Sequence, residues 1–335
     1  MTTINGAAVS WADLKNAMNA DGSAAKIIPI LEESCPVVQS STVIEGSANN
    51  GNQTTLQATK GTASKRSYNE GVAKSKKTDI PVFDMACMYE ANVETDIRLL
   101  EKYPKQANYM LGQEKAAIAA MTEDFETDFF YGNQKTSILS IDGLATRYNS
   151  ISSTKTNKGY QVISAGGSTN LSSMYLVGWG DGGFNLFYPM GSQAGIDRIV
   201  NPNQRVTDSA DNPFYAYCVN INWQVGLTVQ NYRLGGRIAN IDTAALLTYG
   251  TDSDTSADLF AKVFTLKNRM QFKAGYKFVW YVNEVVYTAL ERMAKGTFNV
   301  NLTWAENIGA APTLMLNGWP VMLSDKISSA ETVVS

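Results

Sequence analysis

Residues 46–79 constrain the possible fold more than any other part of the sequence. This segment, GSANNGNQTTLQATKGTASKRSYNEGVAKSKKTD, consists mainly of Gly, Ser, Thr, Asn and Lys and contains very few large apolar residues. It cannot bury enough apolar surface to fold alone. Because the strand-like segments Val37–Ile44 and Ile80–Met88 flank it, the sequence predicts a long protruding hairpin or loop. Structureless loops of this length are uncommon unless they are functional.

A long amphipathic helix is predicted over residues 104–131. Pro104 suits the first turn of a helix, and Gly132 suits a position just past its end. At 1.5 Å per residue, such a helix would extend about 40 Å. Apolar residues recur at intervals of three, four and seven positions and form one stripe. The stripe consists of Ala107, Met110, Leu111, Ile118, Met121, Phe125 and Phe129.

The second half of the chain has the pattern of a mixed α/β region. Apolar and polar residues alternate strictly over 217–229, which predicts a strand with one buried face. Gly226 within this strand predicts a bulge or bend. A helix is predicted over 256–272 and a buried strand over 277–282, after which Asn283 is expected to cap a further helix.

Both ends of the chain carry shorter predicted elements. A short helix is predicted from Trp11 to about Met18, with Ser10 as its N-cap. The closing segment LMLNGWPVMLSDKISSAET predicts a strand, a turn at Asn317–Gly318 and a second strand.

The composition argues against most enzyme and metal chemistry. The sequence contains no histidine, which removes the commonest general base and metal ligand. Its three cysteines, Cys35, Cys87 and Cys218, form no CxxC pair and are expected to be reduced thiols. We therefore expect no catalytic residue, no bound cofactor and no metal. The net charge of −3 and pI of about 5.2 do not suit a protein built to grip nucleic acid.

Two segments loosely match ligand-binding motifs, and a structural explanation is preferred for each. The glycines of VGWGDGGF (177–184) do not open a helix, and no GK[ST] follows, so a turn between strands is expected rather than a phosphate loop. Asp252, Asp254 and Asp258 lack the glycine and glutamate of a calcium-binding EF-hand loop. An exposed acidic turn before a helix explains them better.

The order of the elements resembles the Hong Kong 97-type capsid fold of tailed bacteriophages. An N-terminal arm precedes a basic extended loop, a long helix, a Gly-Asn stop and a mixed α/β region. YGNQKTSILSIDGLATRYN is similar to the helix exit of these proteins. VGLTVQNYRLGGRIANID, YVNEVVYTALERMA and GWPVMLSDKISS are similar to strands and a strand–Asn–helix step in capsid proteins of short-tailed phages related to epsilon fifteen. The resemblance covers essentially all 335 residues.

The resemblance implies an α+β fold with a peripheral domain built around a spine helix and a mixed α/β axial domain. The implied segments are an N-terminal arm (1–45), an extended loop (46–85), a peripheral domain (86–171) with the spine helix (104–131), an axial domain (172–310) and C-terminal strands that return to the peripheral domain (311–335).

The implied function is that of a major capsid protein, which is not an enzyme. Pentamers and hexamers of the chain would form the icosahedral shell of the virion, assembled in the host bacterial cytoplasm. The expected partners are further copies of the chain, a portal protein and double-stranded DNA packaged without sequence-specific binding, with a decoration protein as an additional candidate. No membrane partner is expected: the sequence contains neither a signal peptide nor an apolar window long enough to span a bilayer.

Scaffolding is expected to come from a separate protein. Some members of the family carry an N-terminal scaffolding domain of about a hundred residues, whereas only about 45 residues precede the loop in this chain. The alternative function is an encapsulin-like compartment, which shares the fold. An enzyme would need a histidine-free mechanism, and the sequence shows no constellation for one.

The loop contains many more basic than acidic residues and has three possible roles: a nucleic-acid arm, a solvated loop or a contact with an acidic neighbour. The resembled fold lays it over the neighbouring subunit near the spine helix, whose second half is acidic. The hypothesis is therefore an intersubunit contact. Its basic residues are Lys65, Arg66, Lys74, Lys76 and Lys77, and its acidic residues are Glu123, Asp124, Glu126 and Asp128.

Overall fold

The computed structural model describes residues 35–59, 61–101, 106–192, 194–207, 211–247, 254–270, 274–294, 302–305 and 313–335. The short helix predicted at Trp11–Met18 lies outside these residues. In the part of the chain that is described, no helix is both long enough and apolar enough to cross a bilayer.

The described elements comprise seven α-helices and fourteen strands in a mixed order along the chain. The helices are α1 (Pro36–Ser40), α2 (Ile97–Leu100), α3 (Gln106–Tyr131), α4 (Leu144–Arg147), α5 (Thr243–Leu247), α6 (Asp254–Arg269) and α7 (Glu284–Ala294), with short 3-10 turns at Lys158–Gln161 and Tyr232–Leu234. The strands are β1 (Val43–Glu45), β2 (Gly51–Thr59), β3 (Thr78–Met85), β4 (Cys87–Asp96), β5 (Val162–Ser164), β6 (Leu171–Trp179), β7 (Phe184–Tyr188), β8 (Ile196–Thr207), β9 (Pro213–Val229), β10 (Gly235–Asp242), β11 (Lys277–Val282), β12 (Leu302–Ala305), β13 (Thr313–Leu316) and β14 (Trp319–Leu323).

Twelve of these strands form one mixed sheet, and β2 and β3 form a separate two-stranded sheet. The main path of the large sheet runs β12, β13, β14, β11, β6, β7, β9, β4. The other strands pair at its sides: β1 with β7, β10 with β6, β5 with β10, and β8 with β9. Parallel pairs such as β11–β14 occur beside antiparallel pairs such as β4–β9. The architecture is therefore α+β, as expected.

The predicted long helix is present as α3, and its apolar stripe faces the core. Phe125 and Phe129 are completely buried, and Met110, Ile118 and Met121 are nearly so. Aromatic packing joins the helix to the sheet: the ring centroids of Phe125 and Trp223 lie 4.8 Å apart. Burial of this stripe packs the helix against the sheet.

The alternating segment forms the long strand β9, as predicted. Val219, Ile221 and Trp223 are buried, while the intervening Asn220 and Asn222 are only partly buried. The predicted bulge at Gly226 is not found, because neither pairing shows a register shift at this residue, where β9 passes from β4 to β7. A bend there stays a prediction. Glycine is needed there for space.

The reason is the close approach of a ring to Gly226. A Cβ atom on this residue would lie 2.4 Å from the ring of Phe187, which is too close for any side chain to fit without movement. A glycine within a strand marks either a bulge or a close approach, and the sequence pattern does not distinguish the two.

The remaining predicted elements are confirmed where they are described. The amide of Val286 donates to the Asn283 side-chain oxygen over 3.0 Å, which caps α7. Residues Asn317 and Gly318 have φ values of 59° and 86°, as a two-residue hairpin turn requires. The apolar face of α6 is buried against the sheet.

The segment Val37–Ile44, predicted to be strand-like, requires a correction. It begins with the helical turn α1, and only Val43–Glu45 forms a strand, paired in parallel with β7. Pro36 favours a helix start because its φ is already fixed at a helical value. The Ser40 hydroxyl then donates to the Pro36 carbonyl oxygen over 2.9 Å and closes the turn.

Strand pairing crosses the implied division between peripheral and axial domains. Strand β4, which belongs to the implied segment 86–171, pairs with β9 over its whole length, from Cys87↔Val225 to Asp96↔Ala216. The boundary at residue 172 therefore does not coincide with an edge of the sheet. The division into domains stays a prediction.

Candidate assembly surfaces

The polar segment forms a protruding hairpin. Strands β2 and β3 pair from Gly51↔Met85 to Thr59↔Thr78, and residues 61–80 are all exposed. We call residues 61–77 the hairpin tip. Tyr68 within the tip is 95% exposed. A protruding hairpin is thus present, as predicted, but its first strand lies within the segment that was expected to have no regular structure. Its tip makes little contact with the rest of its own chain.

Two polar contacts fix the base of the hairpin to the large sheet. The Asn52 amide donates to the Thr228 hydroxyl over 3.1 Å. The Arg147 guanidinium donates to the Asp84 carboxylate over 2.9 Å, and both side chains are at most 6% exposed. These contacts attach the base of the hairpin to the body of the protein, which therefore sets the direction in which the hairpin leaves the sheet.

The basic residues of the hairpin tip are accessible. Lys65, Arg66, Lys74 and Lys76 are exposed. Lys77 lies 2.9 Å from Asp79 within the same hairpin, and both side chains remain partly exposed. The tip therefore presents several cations to solvent or to a partner.

The acidic residues of α3 have different surroundings from one another. The Glu126 carboxylate is buried and accepts a hydrogen bond from the Ser324 hydroxyl over 2.6 Å. Exposed Glu123 lies 2.7 Å from Lys326. Asp124 is exposed.

Asp128 is also used within the chain. Its two carboxylate oxygens accept hydrogen bonds from the hydroxyls of Tyr89, over 2.8 Å, and Ser140, over 2.5 Å. The structure of one chain does not bring the predicted basic and acidic residues together. Whether they meet between copies stays a prediction.

Burial raises the pKa of the Glu126 carboxyl above its ordinary value of 4.5, although the Ser324 hydrogen bond opposes the shift. The Glu126 carboxyl therefore binds its proton more tightly in the folded state than in the unfolded state. The resulting contribution to the free energy of unfolding is largest at low pH. It is lost as the pH rises from the unfolded pKa through the higher folded one. We expect the stability of Glu126→Gln relative to the wild type to increase as the pH rises above about 4.3, where the unfolded carboxyl ionises. Urea unfolding of both proteins at a series of pH values measures the difference; a difference that does not change with pH would contradict the expectation.

Three buried or nearly buried ion pairs were not anticipated from the sequence. Besides Arg147–Asp84, Arg198 donates through two nitrogens to the Glu114 carboxylate, each over 2.8 Å, and Arg237 lies 2.8 Å from Glu331. Arg237 gave a signal that could have been noticed, since its immediate neighbours are the small and apolar residues Gly235, Gly236, Ile238 and Ala239. A charge within a buried strand requires a partner.

The described residues offer little for ligand chemistry. No group of three or more Cys, Asp and Glu side chains among them is arranged to hold a metal ion. Cys35 and Cys218 are buried and Cys87 is partly buried; burial raises the pKa of the Cys35 thiol to about 12, which suppresses its reactivity. The glycine-rich segment is a turn between β6 and β7, as predicted. Asp252 lies outside the described residues, as do the side chains of Asp254 and Asp258.

The comparisons with known proteins agree with this picture. The family model described as "Major capsid protein GP7" matches residues 19–335. A solved structure of bacteriophage epsilon15 has 21% sequence identity and a TM-score of 0.65, and the match covers 88% of each chain. This likeness shows a phage capsid fold, as the resemblance to Hong Kong 97-type proteins implied.

Two further structures match at lower similarity. The capsid of bacteriophage JBD30 has 9% identity and a TM-score of 0.49, with coverage of 86% of this chain and 89% of that chain. An encapsulin complex from Synechococcus elongatus has 10% identity and a TM-score of 0.41, with coverage of 61% and 86%. A search among curated proteins finds no significant match. Since the family model spans nearly the whole sequence, the chain belongs to the GP7 family of phage major capsid proteins.

Proposed function

We propose that this capsid protein uses its hairpin tip to hold a neighbouring subunit in the shell. As a major capsid protein, it assembles with copies of itself into an icosahedral shell, and its role is structural rather than enzymatic. The proposal is carried by the hairpin, whose tip is exposed throughout although its base is fixed. A polar segment of this kind gains order from a partner surface.

Acidic side chains on α3 of the neighbouring subunit are the acceptors predicted from the sequence. The proposal includes Glu123, Asp124, Glu126 and Asp128. Glu126 and Asp128 already accept hydrogen bonds within their own chain. The exposed carboxylates of Glu123 and Asp124 are therefore the two with room for an additional cation.

Reversing the charge of Lys74, Lys76 and Lys77 to Glu is expected to leave the subunit folded but to weaken its particles. Each exposed ion pair contributes only about 0–1 kcal/mol, but every contact is repeated throughout a closed shell. The weakening should be largest at low salt, where screening is least. Particle dissociation followed by sedimentation over a range of salt concentrations measures the effect.

A matched control changes the net charge equally at other exposed positions. Lys135, Lys155 and Lys277 are exposed and lie outside the hairpin, so their replacement by Glu should affect particles much less. Equal stability of the hairpin variant and the wild type at every salt concentration would mean that the charge of the tip is only solvated.

We propose a separate scaffolding protein, a portal protein and packaged double-stranded DNA as further partners, with a decoration protein as an additional candidate. The family resemblance supports these partners and assembly in the host cytoplasm. The net charge of −3 supports packaging without sequence-specific binding, because strong DNA binding requires a basic surface. Co-expression with and without a candidate scaffold, followed by electron microscopy, tests the scaffolding role.

A further inference from the structure

We propose that an acidic face of the sheet β4–β9–β8 receives the hairpin tip of a second copy of this chain. This inference rests on the proposed role of the tip in holding a neighbouring subunit, and it names a further acceptor surface in addition to the carboxylates of α3. The acceptor would lie on the side of this sheet that faces away from α3.

The two faces of this part of the sheet are distinguished by their contacts with α3. On one face, Tyr89 of β4 and Trp223 of β9 pack against Phe125, with ring centroids 6.0 Å and 4.8 Å from it. On the same face, Arg198 of β8 pairs with Glu114 of the helix. Because successive side chains of a strand point to opposite faces, the neighbouring positions point away from the helix.

The face directed away from α3 carries three carboxylates. Glu90 is paired across the strands with Asn222, and Asn222 with Asp197, so these residues form one row. Glu94 lies four residues further along β4. All three acidic residues are exposed. None of the described ion pairs involves these three carboxylates. Among the residues of this face that are paired between β4 and β9 or between β8 and β9, none is Lys or Arg.

Neutral amides are the recorded partners of two of these acids. The Asn220 amide donates to the Glu90 carboxylate, and the Asn92 amide donates to Glu94 over 2.7 Å. Amide donors hold the carboxylates in place without removing their charge. With strands about 4.8 Å apart, Glu90 and Asp197 lie about 10 Å from each other across β9. This separation is close to the screening length in physiological salt, about 8 Å, so their fields partly add. Glu94 lies about 13 Å from Glu90 along β4 and extends the same acidic surface.

The hairpin tip has the complementary charge and the freedom to bind there. Residues 61–77 contain five Lys and Arg side chains and one acid, Glu70. The tip does not bury its residues against its own body, since all of them are exposed. On α3, by contrast, Glu126 and Asp128 are engaged internally and Glu123 pairs with Lys326. Among the described residues, the sheet face therefore carries three exposed carboxylates outside any ion pair, compared with Asp124 in the acidic part of α3.

A charge-swap experiment tests this assignment in assembling protein. One variant carries Glu90→Lys, Glu94→Lys and Asp197→Lys, a second carries Lys65→Glu, Lys74→Glu and Lys76→Glu, and a third combines all six changes. Each triple variant should raise the subunit concentration needed for particle formation by roughly tenfold, as expected for several weak pairs lost together. The combined variant should recover most of that loss, because reversed charges attract again. Circular dichroism and thermal unfolding of unassembled subunits show whether each variant folds.

The matched control combines the hairpin reversals with Glu123→Lys and Asp124→Lys on α3. If assembly recovers in this control and not in the variant with all six changes, the inference is overturned in favour of the helix. The inference would also be overturned if the hairpin reversals weaken assembly and the variant with all six changes does not recover it. In that case the proposed role of the tip would still stand. If the hairpin reversals have no effect, the inference and that proposed role both fail.

Discussion

Replacing Glu331 with alanine is expected to lower the free energy of unfolding of the subunit by about 3–5 kcal/mol, because the buried Arg237 guanidinium would lose its counter-ion. Both side chains are only 5% exposed, and the pair is 2.8 Å apart. The same carboxylate also accepts hydrogen bonds from the hydroxyls of Tyr131, over 2.5 Å, and Ser173. Glu331 therefore joins the end of the long helix α3, the central strand β6 and strand β10.

Chemical unfolding of unassembled subunits measures this loss, with Glu284→Ala as the matched control. Glu284 is an exposed glutamate on α7, and surface substitutions of this kind change stability by no more than about 0.5 kcal/mol. The double variant Arg237→Met, Glu331→Leu should be more stable than Glu331→Ala, since it leaves no unpaired buried charge. A Glu331→Ala protein as stable as the Glu284→Ala control would show that the buried pair does not hold the C-terminal segment.

The parts of the fold that could be predicted from the sequence are those that depend on local patterns. The stripe of α3 and the alternation of β9 each report which side of an element is buried, and both are confirmed. Composition alone revealed the protruding hairpin, because residues 61–80 cannot bury apolar surface. Local pattern failed at Pro36–Ser40, where two adjacent valines favoured a strand although the proline began a helical turn.

Contacts between distant parts of the chain could not be predicted in this way. Arg237 and Glu331 are 94 residues apart, and nothing in either local sequence specifies the other. Glu126 was predicted to be available because it stands in an acidic run. Its burial depends on Ser324, which is 198 residues away and accessible only once the final strands have returned to α3. The sheet face with Glu90, Glu94 and Asp197 was missed because its negative charge is spread over two separate strands.

One of the two polar contacts that anchor the hairpin comes from a buried arginine. Arg147 lies on α4, and its guanidinium donates to four oxygen atoms from different parts of the fold. These are the Asp84 carboxylate at 2.9 Å, the Leu227 carbonyl at 3.0 Å, the Asp142 carbonyl at 2.8 Å and the Tyr232 hydroxyl at 3.5 Å. Since Asp84 belongs to β3, this arginine connects the base of the hairpin directly to the core.

Replacing Arg147 with alanine is therefore expected to destabilise the subunit by about 3–5 kcal/mol, because it leaves the Asp84 carboxylate buried without a cation. Arg147→Lys should recover little, since an ammonium group keeps the charge but cannot reproduce the planar fork of donors. Arg147→Met with Asp84→Leu removes both charges and should restore much of the unfolding free energy.

Because this double variant still lacks the polar contact that orients the hairpin, we expect it to fold and yet to assemble poorly. Urea unfolding and particle yield, measured on the same preparations, separate the two effects. Normal assembly by the double variant would mean that apolar packing alone sets the direction of the hairpin.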